Sequence, residues 1–163
     1  MGSVAYCTDG TLLLVDPLVP DDVWPNLDEL ARDRRVHVLT TIPWHRRSRD
    51  AVVARYGAQT SGAKRNLPPG VVTVTLRGAG ETLVWLPEPR ALIPGDRLLG
   101  DGCGGLRLCP ESWLRYLSPG ITRAELRGLL RPLLDLPIEL VLTSHGEPVL
   151  EEGQAALERA LAE

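Results

Sequence analysis

The stretch "ETLVWLPEPRALIPGDRLLG" (residues 81–100) places two apolar runs, TLVWL and ALI, on either side of PEPR. Two prolines with fixed φ suit a tight turn, so the stretch reads as a β-hairpin. The second strand runs straight into Gly95-Asp96. A carboxylate is thereby aimed from the end of a rigid strand, where functional groups concentrate.

Outward from the hairpin, "VVTVTL" upstream is a further strand. At the start of the chain, "SVAYC" and "TLLLVD" flank Thr8-Asp9-Gly10, where Asp-Gly is expected to supply the positive φ of a hairpin turn. "DDVWPNLDELARDR" predicts a helix capped by Asp21 or Asp22, with Val23, Leu27 and Leu30 on one face. "VHVLT" is a strand rich in β-branched residues. A helix follows, capped by Ser48 and ended by Gly57. Downstream come helices over 111–117 and 122–134, the second opened by a Thr122/Glu125 capping box. "IELVLTS" is the last strand. "EEGQAALERALAE" is a terminal helix with Ala155, Leu157, Ala160 and Leu161 on its apolar face. With no repeat, low-complexity tract or linker, residues 1–163 read as one α/β domain.

The 163 residues are 44% apolar and 24% charged, near globular averages, and Phe is absent, so Leu and Val fill the core. A net charge of −3 provides no global attraction for nucleic acid or an anionic membrane. Arg46, Arg47 and Arg49 have two local readings, an anion-binding cluster and the solvated first turn of a helix. Cys7, Cys103 and Cys109 form neither a disulfide framework nor a C-x-x-C pair. Cys103 and Cys109 are near enough in sequence to pair if oxidised, and free thiols are the expected state. The first residues lack a basic region followed by an apolar run, and no stretch reaches the ~18 apolar residues of a membrane span. The expected location is the cytoplasm.

Four strand-to-loop junctions carry a carboxylate or an imidazole: "LLLVDP" at Asp16, "LTTIPWHRRS" at His45, "ALIPGDRLLG" at Asp96 and "LVLTSHGEP" at His145. One such residue is ordinary, an Asp that caps a turn or a histidine bonded within its loop. Four in one small domain favour convergence on one edge of the sheets.

In this order the junctions resemble the metallo-β-lactamase superfamily over nearly the whole chain. Gly95-Asp96 after a hairpin, followed by His145-Gly146, is the most specific part of the match. The resemblance implies a four-layer αββα sandwich, shortened at its N-terminus. It also implies a site for one or two metal ions, usually zinc, at one sheet edge, and a hydrolase of β-lactams, thioesters, lactones or phosphodiesters. Carried over by position, Asp96 matches the metal-bridging carboxylate, His145 the final histidine, and Asp16 the carboxylate behind the ligands.

The family's H-x-H-x-D-H motif is broken in every register. Started at Thr40, its ligand positions hold Thr40, Ile42, Trp44 and His45, and only the last is a ligand. The family's next histidine is also missing, with Glu81 the one candidate in "LRGAGETLVWL". One metal has lost its private ligands, whereas a second would keep His45, Asp96 and His145, an acceptable catalytic set. Arg46 and Arg47 weigh against it, because a guanidinium paired with Asp96 would neutralise the carboxylate. Trp44 is expected to pack over the strand ends.

The leading expectation is therefore a fold member with a degenerate site and no resident metal. It would bind an anionic small molecule or a protein partner along the former active-site edge, lined by Arg46, Arg47 and Asp96, with Asp16, Trp44 and Glu81 beside or behind it. The alternative is a mononuclear zinc or other divalent-metal hydrolase of esters, lactones or thioesters using His45, Asp96 and His145. An exposed sheet edge leaves room for a homo-oligomer.

Overall fold

The computed structural model describes residues 1–61 and 66–162. Two four-stranded sheets pack face to face. The first contains β1 (Val4–Thr8), β2 (Thr11–Val15), β3 (Arg35–Leu39) and β4 (Gln59–Ser61) in that order. The second runs β10 (Leu140–Val141), β7 (Ala91–Ile93), β6 (Glu81–Leu86), β5 (Val72–Leu76). A small ribbon pairs β8 (Leu98–Gly100) with β9 (Leu106–Leu108).

Side chains alternate across a strand, and here both faces are claimed. Leu12 and Leu14 of β2 join Val36 and Val38 of β3 beneath two helices, α1 (Trp24–Ala31) and α2 (Arg49–Tyr56), meeting Leu27 and Val52. Their neighbours Leu13, Val15 and Leu39 face the other way, onto Val84, Leu86 and Ile93 of the second sheet. On β6 the same switch sends Leu83 and Trp85 outward, beneath α4 (Arg123–Leu130) and α5 (Gly153–Ala162). The layers are helix, sheet, sheet, helix, as expected. Each fully buried Leu or Val contributes about 1.5–3 kcal/mol, and Leu12 and Leu13 have no exposed surface. A one-residue slip of β2 would exchange its two cores.

The predicted β6–β7 hairpin forms, with Val84 opposite Ile93. The Thr122/Glu125 capping box is present, and Gly57 closes α2 in the left-handed conformation.

Other local expectations are corrected. Asp9 and Gly10 turn the first hairpin without a positive φ at either residue. The Gly10 carbonyl is engaged by Arg35 N–H of β3, which ties the turn into the sheet. Asp21 and Asp22 lie within a single 3₁₀ turn, Asp21–Val23, that precedes α1, and no side chain caps either helix. Pro25 tolerates this start because its missing N–H would lack a partner there. Of Val23, Leu27 and Leu30, only Leu27 is buried. Ser48 holds the N-cap position of α2, but its hydroxyl accepts Val19 N–H instead of a helix amide.

The helix expected over 111–117 shortens to α3 (Glu111–Leu114). The one expected over 122–134 changes at Arg131-Pro132 to a 3₁₀ turn, Arg131–Asp135, because proline supplies no N–H to continue the α-helix. Of "IELVLTS", only Leu140–Val141 is strand, parallel to β7. On α5 the buried positions are Gly153, Ala156, Leu157, Ala160 and Leu161, with Ala155 half-buried. No helix among the described residues is long and apolar enough to cross a membrane.

Candidate metal centre

The strands β2, β3, β7 and β10 end on the same edge of the sandwich, because β3 is parallel to β2 and β10 to β7. Their following loops carry Asp16, His45, Asp96 and His145, and the fold brings these four together. His45 Nδ1 lies 2.8 Å from Asp16 Oδ2. His45 Nε2 lies 3.2 Å from Asp96 Oδ1, and His145 Nε2 lies 3.2 Å from that same oxygen. One ligand-type atom from each of His45, Asp96 and His145 falls within 4.8 Å of the other two.

Each residue is held by specific contacts. Asp16 has φ 49° and accepts Thr41 N–H at Oδ1 (2.7 Å), with the Thr41 hydroxyl on Oδ2. The β3 loop is thus locked to the end of β2, and His45 follows one turn later through its N–H to Ile42 O. Asp96 is placed by Glu81, whose buried carboxylate accepts the N–H groups of Gly95, Asp96 and Arg97 at 3.0, 2.7 and 2.9 Å. Gly95 has no spare room, because a Cβ there would stand 3.1 Å from Glu81 Oε2 and closer still to Thr41 Oγ1. His145 is set by the crossing of its loop over β8, where Gly100 N–H donates to His145 O at 2.9 Å.

Trp44 is 60% exposed, so it does not seal the strand ends as expected. Instead its indole N–H donates to Asp96 Oδ2 at 3.1 Å. With Oδ2 engaged, Asp96 Oδ1 faces the two imidazoles and has no well-directed hydrogen bond, although it is buried.

The arginines also differ from expectation, since no guanidinium pairs with Asp96 among the described residues. Arg47 turns away at φ 42° and donates to Gly2 O and Asp16 O. Arg46 and Arg49 line a separate cleft with Thr40, Ile42 and Gly80. Glu81 contributes no ligand atom, being committed to the backbone behind Asp96. Among the described residues no cation is seated on Asp96, but the Arg47 charge still reaches the site and acts to lower the pKa of both His45 and His145.

The electrostatics follow from burial and pairing. Burial alone would lower the His45 pKa, but the bonds to Asp16 and Asp96, with the charge of Asp16, raise it to about 9. For Asp96, burial pushes upward, and His45 and the Trp44 N–H outweigh it, so the carboxyl falls below its ordinary value. Burial lowers His145, only partly opposed by the Asp96 charge. Burial likewise raises Glu81 against the pull of its three amides.

The residues fit a divalent metal. A tetrahedral zinc site with ligand bonds of about 2.0–2.2 Å has ligand–ligand edges of about 3.3–3.6 Å. Both imidazole nitrogens stand 3.2 Å from Asp96 Oδ1, and that buried oxygen lacks another partner. A ligating histidine commonly donates its other ring N–H to a carboxylate, and His45 Nδ1 meets Asp16 in that way.

Neither a protein-family profile nor a curated protein matches the sequence. Solved structures do match, and they share one architecture. The chain has the metallo-β-lactamase fold. The structure titled TTHA1623 in a di-iron-bound form aligns with TM-score 0.66 and 19% identity, over 97% of this chain and 93% of that one. DIM-1 metallo-β-lactamase aligns with TM-score 0.61 and 13% identity, over 98% and 84%. A metallo-β-lactamase from Erythrobacter litoralis aligns with TM-score 0.56 and 18% identity, over 98% and 78%. Within this metallo-β-lactamase fold, a His-Asp-His cluster occupies the loop edge.

Sequence reasoning missed Thr41, Trp113 and Arg97. Thr41 bridges Asp16 and the His45 loop, and Trp113 stands edge-on to His145, ring centres 5.9 Å apart. Arg97 is fully buried, its Nε donating to Ala79 O at 2.8 Å and its guanidinium meeting the Cys109 thiol. Its place beside Gly95-Asp96 was the available signal. Cys109 is buried, Cys103 is exposed, and both are free thiols.

Proposed function

We propose that this chain is a mononuclear metal-dependent hydrolase acting on an ester, thioester or lactone. The observation that carries the reading is the convergence of His45 Nε2, Asp96 Oδ1 and His145 Nε2, with no arginine of the described residues on Asp96. These three would hold one zinc or other divalent ion. Such an ion supplies Lewis acidity and a water acidic enough to act as nucleophile near neutral pH. Asp16 fixes the His45 ring so that Nε2 faces the centre, and Trp44 occupies Asp96 Oδ2 so that Oδ1 does.

The test is metal analysis of protein made in zinc-supplemented medium, followed by ester, thioester and lactone turnover. About one metal per chain is expected, lost in Asp96→Ala or His145→Ala, with turnover abolished in His45→Ala. Metal-free protein from that medium, inactive on all three classes with added Zn²⁺ or Mn²⁺, overturns it.

A second reading has its own support. The Asp16–His45–Asp96 chain closes as an ion-pair network without a metal, since His45 retains its proton to about pH 9. The first motif positions, Thr40 and Ile42, hold no ligand. A non-catalytic protein that takes an anionic small molecule or a protein partner beside Arg46 and Arg49 is consistent with both facts. Zinc stoichiometry separates the two readings.

A further inference from the structure

The chain has four tryptophans, three tyrosines and no phenylalanine. Three of these seven rings, Trp44, Trp113 and Tyr116, line one cleft of about 360 Å³ together with Asp96 and Arg97. That volume lies at the small end of ligand sites. Trp44 is 60% and Tyr116 86% exposed, and neither joins any of the three apolar clusters. Three rings gathered on one cleft form a contiguous patch of the kind found at ligand-binding grooves.

The cleft and the centre are joined through named contacts. Trp44 bonds Asp96 through its indole N–H, and Trp113 stands edge-on to the His145 ring at 71°. A group seated between them lies beside two of the three candidate ligands. The two charged residues lining the cleft are already engaged: Asp96 by Trp44 and the histidines, Arg97 by Ala79 O and Cys109. The cleft therefore offers rings to an occupant and no uncommitted ion pair, which favours a neutral group. Aromatic rings gain from one another beyond the area they bury, through the match of electron-rich face to electron-poor edge.

We propose that this cleft binds a flat, uncharged aromatic group of the substrate, so that the bond cleaved belongs to an aryl or arylacyl ester, thioester or lactone. The substrate class rests on the hydrolytic reading above, whereas the binding of the aromatic group does not require the metal.

The test uses 2-naphthamide, which is planar, neutral and resistant to hydrolysis, and its saturated counterpart decahydronaphthalene-2-carboxamide. Calorimetry on chelator-treated and zinc-loaded protein should show the naphthyl compound binding about threefold to tenfold more tightly than the saturated one. Trp44→Leu and Tyr116→Ala, both at exposed positions, should each erase most of that preference. His45→Ala should lose zinc yet keep naphthamide. Equal affinity for the two compounds, no binding of either, or an unchanged preference in both cleft variants overturns the proposal. Naphthamide binding by a protein that takes no metal supports the cleft and rejects the hydrolytic reading. Zinc binding and ester turnover without aromatic preference does the reverse.

Discussion

Changing Asp16 to asparagine perturbs the site without touching any candidate ligand. Asp16 Oδ1 accepts Thr41 N–H at 2.7 Å, and Oδ2 faces His45 Nδ1 at 2.8 Å. Asparagine must keep its oxygen toward the Thr41 amide, which has no other role than to donate. Its NH₂ then faces His45 Nδ1, and that nitrogen becomes an acceptor. The neutral imidazole carries its proton on Nε2, the atom directed at Asp96 and the metal position. Loss of such a carboxylate behind a ligating histidine typically costs about 10–100-fold in metal affinity.

In the metal-free protein the same change weakens the His45 ion pair. Raising His45 from its ordinary 6.5 to about 9 corresponds to about 3 kcal/mol of tighter proton binding in the folded state, shared between Asp16 and Asp96. Asp16→Asn should therefore cost about 1–2 kcal/mol where His45 is charged. The folded pKa lies above the unfolded one, so this contribution is complete below pH 6.5. It disappears as the pH rises through about 9. Urea denaturation of chelator-treated protein at pH 6 and pH 9.5, with zinc titration against a chromophoric chelator, measures both effects. Zinc affinity within twofold of the parent, or a stability loss that does not shrink at high pH, would refute the reasoning.

Gly146→Ala is expected to lower stability by about 2–4 kcal/mol. The residue has φ +78°, and a Cβ would clash with the Gly100 carbonyl. The displaced His145 should cost at least about tenfold in zinc affinity, read by thermal melts and metal titration. Arg46→Ala should leave zinc affinity within about twofold of the parent, because Arg46 lines another cleft. A large gain would restore the idea that arginine competes with metal. Asp28→Asn removes the charge opposite Arg55 and the oxygen that accepts from its Nη2, while one acceptor remains for Arg55 Nε and the Tyr56 hydroxyl. The Arg55 and Tyr56 bonds hold the Asp28 pKa at about 2. Its stabilisation is present above the ordinary carboxylate range and fades as pH falls through about 2, so parent and variant melts should differ at pH 6 and converge near pH 2.

The layers were legible through the order of the strand-to-loop junctions, which resembles a known fold, and they form because β2 and β6 bury apolar side chains on both faces. Which face met which layer was not legible, since Leu12 and Leu13 are chemically identical and only the register separates them. The four candidate junctions were legible one by one, and their convergence depends on two parallel pairings, β2–β3 and β7–β10, that join distant segments. The arginines misled because adjacency in sequence suggested adjacency to Asp96. A left-handed residue at Arg47 turns its guanidinium toward Gly2 and Asp16 instead. Trp44 misled in the opposite direction. At a motif position that holds a carboxylate in the family it looks like a lost ligand, and only the loop path shows its N–H resting on Asp96.

That Trp44 contact bears on which reading the site supports. His45 has committed Nδ1 to Asp16, and Asp96 has committed Oδ2 to Trp44, so each presents one remaining atom to the same point. An ion pair alone would need one histidine and one carboxylate there, and His45 with Asp96 already provides both. His145 is then surplus. Burial lowers its pKa, so near neutral pH it presents a neutral imidazole whose Nε2 lies 3.2 Å from Asp96 Oδ1. His145 also stands edge-on to Trp113, and under the hydrolytic reading proposed above a divalent ion would use all three atoms. Gly146, at φ +78° and with no room for a Cβ beside Gly100, lets the loop pass close over β8 and so fixes where His145 stands.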